Sequence, residues 1–243
     1  MIDVDSYETL QLHLTGTGIL EVTLDRPQAM NAMNRAMHDE ITSLLDQVSR
    51  DPQVAVVLLS GAGRGFCAGA DLKERSPSPA DRVDGLLRQR ALVQAMLDID
   101  RPIVSAVHGP AFGSGLALAV MADISVAAED ARMSDVNVRI GVTSGDHAVL
   151  SWPLLCGMAK AKLYLLTGDE LSGAEAERIG LVSRAVPADE VLEVARSIAG
   201  VLAERSHDAV AGTKQALNGW YRASTPINDT AISSAMATML RRS

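Results

Sequence analysis

Two glycine-rich turns hold the residues of this chain that are best suited to chemistry. The first turn spans residues 60–74 and follows the apolar run 55–59; the second spans residues 108–115 and follows the apolar run 103–107. Both runs predict buried strands, and an alanine- and leucine-rich helix is predicted from about Ser114. A helix that begins at such a turn presents unpaired backbone N–H groups at the positive end of its dipole. Two turns of this kind could aim two N–H donors at one anion, or at one oxygen that gains negative charge during a reaction.

Two other roles for these turns are a purely structural turn and a dinucleotide-binding loop. Glycine-rich loops usually serve only to turn the chain, so a purely structural role stays open for either turn by itself. A dinucleotide-binding loop is excluded by its spacing. Gly113 and Gly115 begin like a G-x-G-x-x-G motif, but Leu118 stands where a small residue is needed for close helix–strand packing.

Three ordered motifs resemble the signatures of the crotonase (enoyl-CoA hydratase/isomerase) superfamily. Residues 66–72, Phe-Cys-Ala-Gly-Ala-Asp-Leu, are similar to the F-x-A-G-x-D-[LI] signature, and residues 107–117 are similar to the V-x-G-x-A-x-G-G-G segment. Residues 24–33 resemble the R-P-x-x-x-N-A element, and the likeness extends from about residue 18 to residue 219. The resemblance implies an α/β fold, a crotonase-like spiral of ββα units with a C-terminal helical trimerisation region.

The resemblance also implies a function for the two turns. It assigns the backbone N–H groups of Ala70 and Ser114 to an oxyanion hole, which would stabilise the enolate of an acyl-CoA thioester. Coenzyme A would enter as part of the substrate, with no separate cofactor and no metal. Arg26 and Lys73 could meet a CoA phosphate as point charges, although solvated surface cations are an equal alternative. The remaining positions that match the CoA tunnel are Gln28, Ala29, Ala68, Asp71 and Leu72.

Three positions depart from the family's pattern. Enoyl-CoA hydratases hold the attacking water between two glutamates that act as base and acid, and the matched positions here carry Ala117 and Asn137. Neither side chain transfers a proton at neutral pH, so ordinary hydration is not expected to be the best activity. Ser114 also replaces the usual glycine. The chain is predicted to be an enzyme of the isomerase or lyase type, and the alternative is a non-catalytic acyl-CoA-binding protein that keeps the fold.

Asp146 is the carboxylate predicted to replace the missing glutamates, together with His147. In some relatives the matched segment delivers an acidic base or nucleophile from the side opposite the glutamates. The alternative is that Asp146 caps the following helix, with His147 in its first turn. A structural role is predicted for two further titratable side chains near the turns, His108 and Asp135.

The composition indicates which broad class of protein the chain belongs to. With 47% hydrophobic and 21% charged residues among 243, the chain is typical of a globular protein. Its net charge of −8 opposes a nucleic-acid groove. Cys67 and Cys156 lack metal-ligand spacing and are expected to be reduced thiols. The chain has no signal-peptide pattern, and Asp123 interrupts its longest apolar run, so a cytoplasmic protein without a membrane span is expected.

The elements that must position the two turns follow from the hydrophobic pattern. Strands are predicted over 7–14, 18–24, 54–59, 103–107 and 124–128, and helices follow most of them. The pattern predicts an N-cap at Asn34 and a capping box at Ser172 and Glu175. A crotonase-like core is assigned to residues 1–188, and the C-terminal helical region to residues 189–243. The resemblance implies a homotrimer, or a hexamer built as a dimer of trimers, and a role for Lys214 at a neighbouring subunit's CoA.

Overall fold

The computed structural model of the protein describes residues 2–74, 78–145 and 147–240. The strands are β1 (Leu10–Leu14), β2 (Ile19–Leu24), β3 (Val56–Gly61), β4 (Ile103–Val107), β5 (Ala111–Phe112), β6 (Ile124–Ala128), β7 (Arg132–Ser134), β8 (Leu171–Ser172) and β9 (Arg184–Val186). The helices are α1 (Arg35–Arg50), α2 (Pro79–Asp98), α3 (Ser114–Val120), α4 (His147–Leu155), α5 (Gly157–Thr167), α6 (Gly173–Ile179), α7 (Val191–Ala203), α8 (His207–Ala223) and α9 (Thr225–Leu240). Short 3-10 helices occupy Pro27–Ala29 and Val138–Ile140.

A six-stranded sheet forms the centre of the fold. Its strand order is β1-β2-β3-β4-β6-β9, and every neighbouring pair is parallel except the antiparallel hairpin of β1 and β2. The inner strands β3 and β4 read as unbroken apolar runs because both faces of a parallel sheet are covered. The predicted mixed α/β architecture is confirmed, and each glycine-rich turn leaves the sheet directly after one of these two strands.

Different helices cover the two faces of the sheet. On one face, alternate residues of β3, β4 and β6 pack against helices α1, α2 and α3. On the other face, Val56, Val104 and Val126 pack against Val191 and Ala195 of helix α7. The buried positions of α7 recur every four residues, which gives the helix one apolar stripe toward the sheet. The boundary between the core and the C-terminal region, at residue 188, stays a prediction. Helix α7 lies after this boundary in sequence, although it packs on the large sheet of the core.

A smaller sheet extends the second turn. Strand β5 pairs in parallel with β7, which pairs in antiparallel with β8. Strand β5 begins with Ala111, immediately before helix α3. The second glycine-rich turn is therefore held between the large sheet, through β4, and the small sheet, through β5.

Most of the predicted elements are confirmed. Asn34 caps α1 by accepting a hydrogen bond from the Met37 N–H, and the Ser172 hydroxyl accepts one from the Glu175 N–H at the start of α6. For α2 the sequence predicts an apolar stripe that consists of Leu86, Leu87, Val93, Met96 and Leu97. The stripe is wrong at Leu87, which is 45% exposed. Leu87 lies two positions from the buried Gln89, so the helical turn places it on the opposite side of α2.

Three further predictions concern the break at Pro226, the absence of a membrane span and the loop before α2. The sequence predicts that Pro226 separates the last two helices, and this is confirmed: α8 ends at Ala223 and α9 begins at Thr225. Pro226 sits in the first turn of α9, where a missing N–H costs no hydrogen bond. Within the parts of the chain that the structure describes, no helix is both long and apolar enough to cross a membrane. The sequence also predicts a loop over residues 76–79; residues 76 and 77 lie outside the described part, and α2 begins at Pro79.

Candidate active site

The two glycine-rich turns are hydrogen-bonded to each other. The Cys67 N–H donates to the Pro110 carbonyl oxygen, and the Phe112 N–H donates to the Cys67 carbonyl oxygen, both at 3.0 Å. These bonds form a parallel bridge between Cys67 and Ala111. Ala70 and Ser114 each lie three residues beyond a bridged residue. The bridge therefore brings their backbone N–H groups to the same end of the site.

Glycine is required where the turns touch most closely. A Cβ atom at Gly115 would lie 2.2 Å from the Cys67 carbonyl oxygen. A Cβ at Gly69 would lie 2.7 Å from the Phe112 carbonyl oxygen, and Gly69 also has φ of +92°. Any larger residue at these two positions would push the first turn away from the start of helix α3.

The N–H groups of Ala70 and Ser114 have no hydrogen-bond acceptor among the residues that the structure describes. Their neighbours are paired: the Ala68 N–H donates to the Met30 carbonyl oxygen, and the Gly113 N–H donates to the Ser134 carbonyl oxygen. Ala70 is exposed and Ser114 is half-buried. The site therefore presents two backbone donors, one from each glycine-rich turn, that have no acceptor in the described chain, and their convergence on one oxygen stays a prediction.

The serine at position 114 adopts ordinary helical geometry. The unusual backbone conformation belongs to Gly113, with φ of 48° and ψ of −114°. In the described ranges, the only non-glycine residues with positive φ are Met30 and Asn31. Replacing the family's usual glycine by Ser114 therefore introduces no backbone strain, and the N–H group is retained.

Asn31 holds the first turn in place, a role that the sequence reasoning missed. Its side-chain amide is fully buried and donates to the carbonyl oxygens of Ala62, Gly65 and Phe66 at 2.8, 2.8 and 3.2 Å. Its Oδ1 atom accepts a hydrogen bond from the Arg26 N–H at 2.9 Å. The available signal was its place in the R-P-x-x-x-N-A element, since an amide can donate and accept at once.

Arg26 and Asp71 form an ion pair with an Nη1–Oδ2 distance of 2.9 Å. Burial raises the pKa of Asp71, but hydrogen bonds from the Lys73 N–H and the Arg26 side chain outweigh it, so the pKa is lowered overall. The Arg26 guanidinium also donates to the Ala32 carbonyl oxygen. Arg26 is therefore not an unpaired cation: the ion pair links it to the first turn, and its contact with a CoA phosphate stays a prediction.

The other predicted binding residues differ in accessibility. Gln28, Leu72 and Lys73 are exposed, and Ala29 and Ala68 are half-buried, so all five can reach a ligand beside the first turn. Ala117 is 0% exposed. Its methyl group packs inside the core and offers no exposed surface, and its contact with substrate stays a prediction.

The segment after β7 lies against the second turn. A Cβ at Gly113 would lie 3.9 Å from Cγ2 of Val136. The half-buried Asn137 donates its amide to Oδ1 of Asp135 at 2.6 Å, and Asp135 is only 2% exposed. Asn137 therefore lies next to the second turn, and its side-chain amide is hydrogen-bonded to the carboxylate of Asp135.

The other titratable groups near the turns are held in place or lie outside the described part. Asp146 lies outside the described residues, so the structure gives no position for it. His147 begins helix α4 and is 1% exposed. Nε2 of His108 lies 3.0 Å from the Gly63 carbonyl oxygen, which is a contact between the two turns. Burial raises the pKa of the Cys67 thiol to about 12, so it is not a nucleophile at neutral pH.

Lys214 is buried away from the two turns. Its ammonium donates to Oδ2 of Asp123 at 2.8 Å and to the Arg101 carbonyl oxygen at 2.9 Å, and burial lowers its pKa. The ammonium is thus paired within this chain, and the role at a neighbouring subunit's CoA stays a prediction. A cavity of about 800 Å³ adjoins this ion pair, and no residue of either glycine-rich turn lines it.

Comparisons with known proteins identify the family of the chain. The family model described as "Enoyl-CoA hydratase/isomerase" matches residues 15–241. A relative from Mycobacterium bovis, named "Probable enoyl-CoA hydratase echA8", is 35% identical over 206 residues, which is 84% of this chain and 79% of the relative.

Solved structures show the same likeness. An enoyl-CoA hydratase/isomerase from Mycobacterium paratuberculosis superposes with a TM-score of 0.89 at 32% identity, covering 96% of this chain and 95% of the other. A monofunctional enoyl-CoA isomerase from M. smegmatis superposes with a TM-score of 0.75 at 30% identity, covering 88% and 94%. With its two backbone donors, its mixed α/β fold and these matches over nearly its whole length, the chain belongs to the enoyl-CoA hydratase/isomerase family of the crotonase superfamily.

Proposed function

We propose that the protein is an acyl-CoA enzyme that stabilises a thioester enolate between the N–H groups of Ala70 and Ser114. The observation that carries the proposal is the pair of backbone donors that have no acceptor among the described residues. When a bond at the α-carbon breaks and leaves its electrons behind, negative charge moves to the thioester oxygen. Two preorganised donors stabilise that charge, and one such donor contributes about 3–4 kcal/mol to lowering the barrier.

The acyl-CoA would reach this oxyanion hole along the exposed side of the first turn. Gln28, Leu72 and Lys73 offer accessible surface there. Lys73 forms no ion pair with any described residue, so its ammonium is available to a CoA phosphate. The names of the relatives support a CoA thioester as substrate, with coenzyme A supplied by the substrate itself.

The proposed reaction is an isomerisation or a lyase step rather than ordinary hydration. Ala117 and Asn137 stand where hydratases of the family have their two glutamates, and neither can carry a proton. We propose Asp146 as the carboxylate that moves the proton, in a role that its sequence segment suggests. The same two replacements favour one alternative, a non-catalytic acyl-CoA-binding protein.

We also propose that the C-terminal helices mediate trimer formation, as a homotrimer or as a hexamer of two trimers. Leu217 and Trp220 on α8 are 62% and 69% exposed, which is unusual for large apolar side chains unless a second subunit covers them. The two sheets, with helices following their strands, support the family's spiral of ββα units as the architecture of the core.

The test is a binding and exchange experiment. Binding of butyryl-CoA is measured by calorimetry, and loss of its α-protons in D₂O is followed by NMR. Binding with exchange is the expected result, because enolate formation needs only the hole and a base. Binding without exchange would favour the non-catalytic alternative, and absence of binding to any CoA thioester would overturn the proposal.

A second arm addresses hydration. Crotonyl-CoA turnover is compared between the wild type and Asn137→Glu, alone and with Ala117→Glu. Little hydration by the wild type, with some gained in the variants, is expected. Robust hydration by the wild type would overturn the account of the missing carboxylates. Because Ala117 is fully buried, the single Asn137→Glu variant is the informative one if the double variant does not fold.

A further inference from the structure

Several buried side chains have polar atoms without hydrogen-bond partners in the described chain, and three of them lie on α2, on α9 and in the segment before α4. Gln89 of α2, Ser144 before α4 and Asn228 of α9 are 5%, 6% and 7% exposed. Nε2 and Oε1 of Gln89, Oγ of Ser144 and Oδ1 of Asn228 are buried with no partner in the described chain. Asn218, in contrast, is equally buried and donates its amide to the Leu97 carbonyl oxygen at 3.0 Å. Buried polar groups in proteins are normally paired, so these need an explanation.

The three side chains belong to one junction of the fold. Arg90 and Asp229, the next residues after Gln89 and Asn228, form an ion pair between α2 and α9. On the Ser144 side, a Cβ at Gly145 would lie 3.7 Å from the backbone of Ala231, one helical turn after Asn228. Helices α2 and α9 and the segment before α4 therefore converge at these residues.

This junction adjoins the proposed oxyanion hole. Helix α2 is the first described helix after the Ala70 turn, and it contacts α3, the helix that begins at Ser114. The segment with Ser144 follows Asn137 directly, and the Val142 N–H donates to the Asn137 carbonyl oxygen at 2.9 Å. Helix α4, which follows this segment, also contacts α3. Helix α2, which carries Gln89, and helix α4, which follows Ser144, thus contact the helix that supplies one of the two donors, and α9 packs against both α2 and α4.

We propose that Gln89, Ser144 and Asn228 form a polar acyl subsite that binds a neutral hydroxyl group on the acyl chain of the substrate. The inference rests on the proposed function and narrows its substrate to hydroxylated acyl-CoA thioesters. A hydroxyl both donates and accepts, so it can pair with the Gln89 amide, the Asn228 carbonyl oxygen and the Ser144 hydroxyl. A purely aliphatic chain would leave all these groups unpaired.

The surrounding charges favour a neutral group over a carboxylate. On α2, the cations beside the cluster are already paired, Arg88 with Asp39 and Asp84, and Arg90 with Asp229. Neither of the two arginines that flank Gln89 would therefore be free to compensate the charge of a substrate carboxylate buried at this junction. The hydroxyl group avoids that penalty while using the same hydrogen bonds.

The experiment compares two pairs of thioesters that differ only in a terminal hydroxyl. Calorimetry measures binding of butyryl-CoA against 4-hydroxybutyryl-CoA, and of hexanoyl-CoA against 6-hydroxyhexanoyl-CoA. The wild type is expected to bind one hydroxylated member at least tenfold more tightly than its partner. Gln89→Leu, Asn228→Leu and Ser144→Ala are each expected to reduce that preference to threefold or less, mainly by weakening the hydroxylated ligand.

The matched control is Gln94→Leu, the same substitution on the exposed side of α2. It should leave the preference unchanged. Equal affinity for both members of each pair in the wild type would overturn the subsite while leaving the proposed function intact. A preference that survives all three cluster variants would also overturn it. If the folded wild type binds no CoA thioester at all, the proposed function fails and the subsite fails with it. Because the variants lie on three separate elements, one that does not fold leaves two to decide.

Discussion

The side-chain amide of Asn31 donates to the carbonyl oxygen of Gly65 at 2.8 Å, across a sequence separation of 34 residues. This bond, with those to Ala62 and Phe66, fixes the path of the chain just before it reaches Ala70. The position of one backbone donor therefore depends on a side chain far from it in sequence. Asn31 makes no predicted contact with substrate, so its effect on the site would come through the backbone.

Replacing Asn31 by alanine is expected to destabilise the fold by about 2–4 kcal/mol. The variant leaves buried carbonyl oxygens of the first turn without donors and keeps a positive φ that alanine adopts poorly. Urea denaturation measures the loss. The control is Asn34→Ala, which removes only the N-cap of α1 and should cost about 1 kcal/mol. Equal losses in the two variants would contradict the special role of Asn31.

Replacing Gly115 by alanine is expected to disrupt the pair of donors. The new Cβ would lie 2.2 Å from the Cys67 carbonyl oxygen, so helix α3 and the first turn must separate. Losing the contribution of one donor should slow α-proton exchange on butyryl-CoA by about 100-fold or more. Gly212→Ala in α8 is the control, since no atom lies within 4 Å of its Cβ position. An exchange rate unchanged by Gly115→Ala would argue against the hole.

The Arg26–Asp71 ion pair predicts a pH dependence of stability. The pKa of Asp71 in the folded protein is below its ordinary value, so the folded state binds protons less readily than the unfolded state. The pair therefore stabilises the fold fully above about pH 4, the usual range of an aspartate, and this contribution is lost as the pH falls through the lower folded pKa.

Arg26→Met tests this dependence because it removes the partner and leaves the carboxylate. The variant is expected to raise the pKa of Asp71 and to be less stable than the wild type at pH 7, with a smaller difference near pH 2. Thermal unfolding across that range measures both effects. A stability difference that is the same at every pH would show that the lost energy comes from packing and not from the charge.

The buried ion pair of Lys214 and Asp123 predicts strong coupling between two distant segments. Lys214→Met leaves the Asp123 carboxylate, which is only 23% exposed, without its cation. The expected loss is about 2–4 kcal/mol. Adding Asp123→Asn, which retains an acceptor for the Ile103 N–H, should recover part of it. A double-mutant cycle measures this coupling, and strictly additive losses would contradict it.

The local pattern of the sequence was enough to predict the elements around the two turns. Apolar runs gave β3 and β4 because both faces of these strands are buried, and the Asn34 cap lies within three residues of its partner. The place of the two donors followed from the motifs, since the glycines that create the turns are visible in the chain.

Contacts between distant segments could not be predicted in the same way. The pairing of Arg26 with Asp71 and the burial of Gln89 depend on how separate elements meet. Ala117 illustrates the same limit: its motif position indicates a site residue, while the packing of α3 hides its methyl group. The sequence predicts a helix at the position of α7, but it does not indicate which face of the large sheet the helix covers.

The two donors at Ala70 and Ser114 belong to the main chain, and this has a consequence for how the family can change over evolutionary time. Every amino acid except proline supplies the same N–H group, so the side chains at these positions are free to drift while the group that matters persists. The constraint on residue type falls instead on neighbouring positions that take no part in the chemistry. Gly69 and Gly115 are such positions, because a Cβ atom at either would clash with the other turn. A search for related enzymes would therefore do better to look for the glycines that allow the two turns to pack closely than for particular side chains at the positions of the donors.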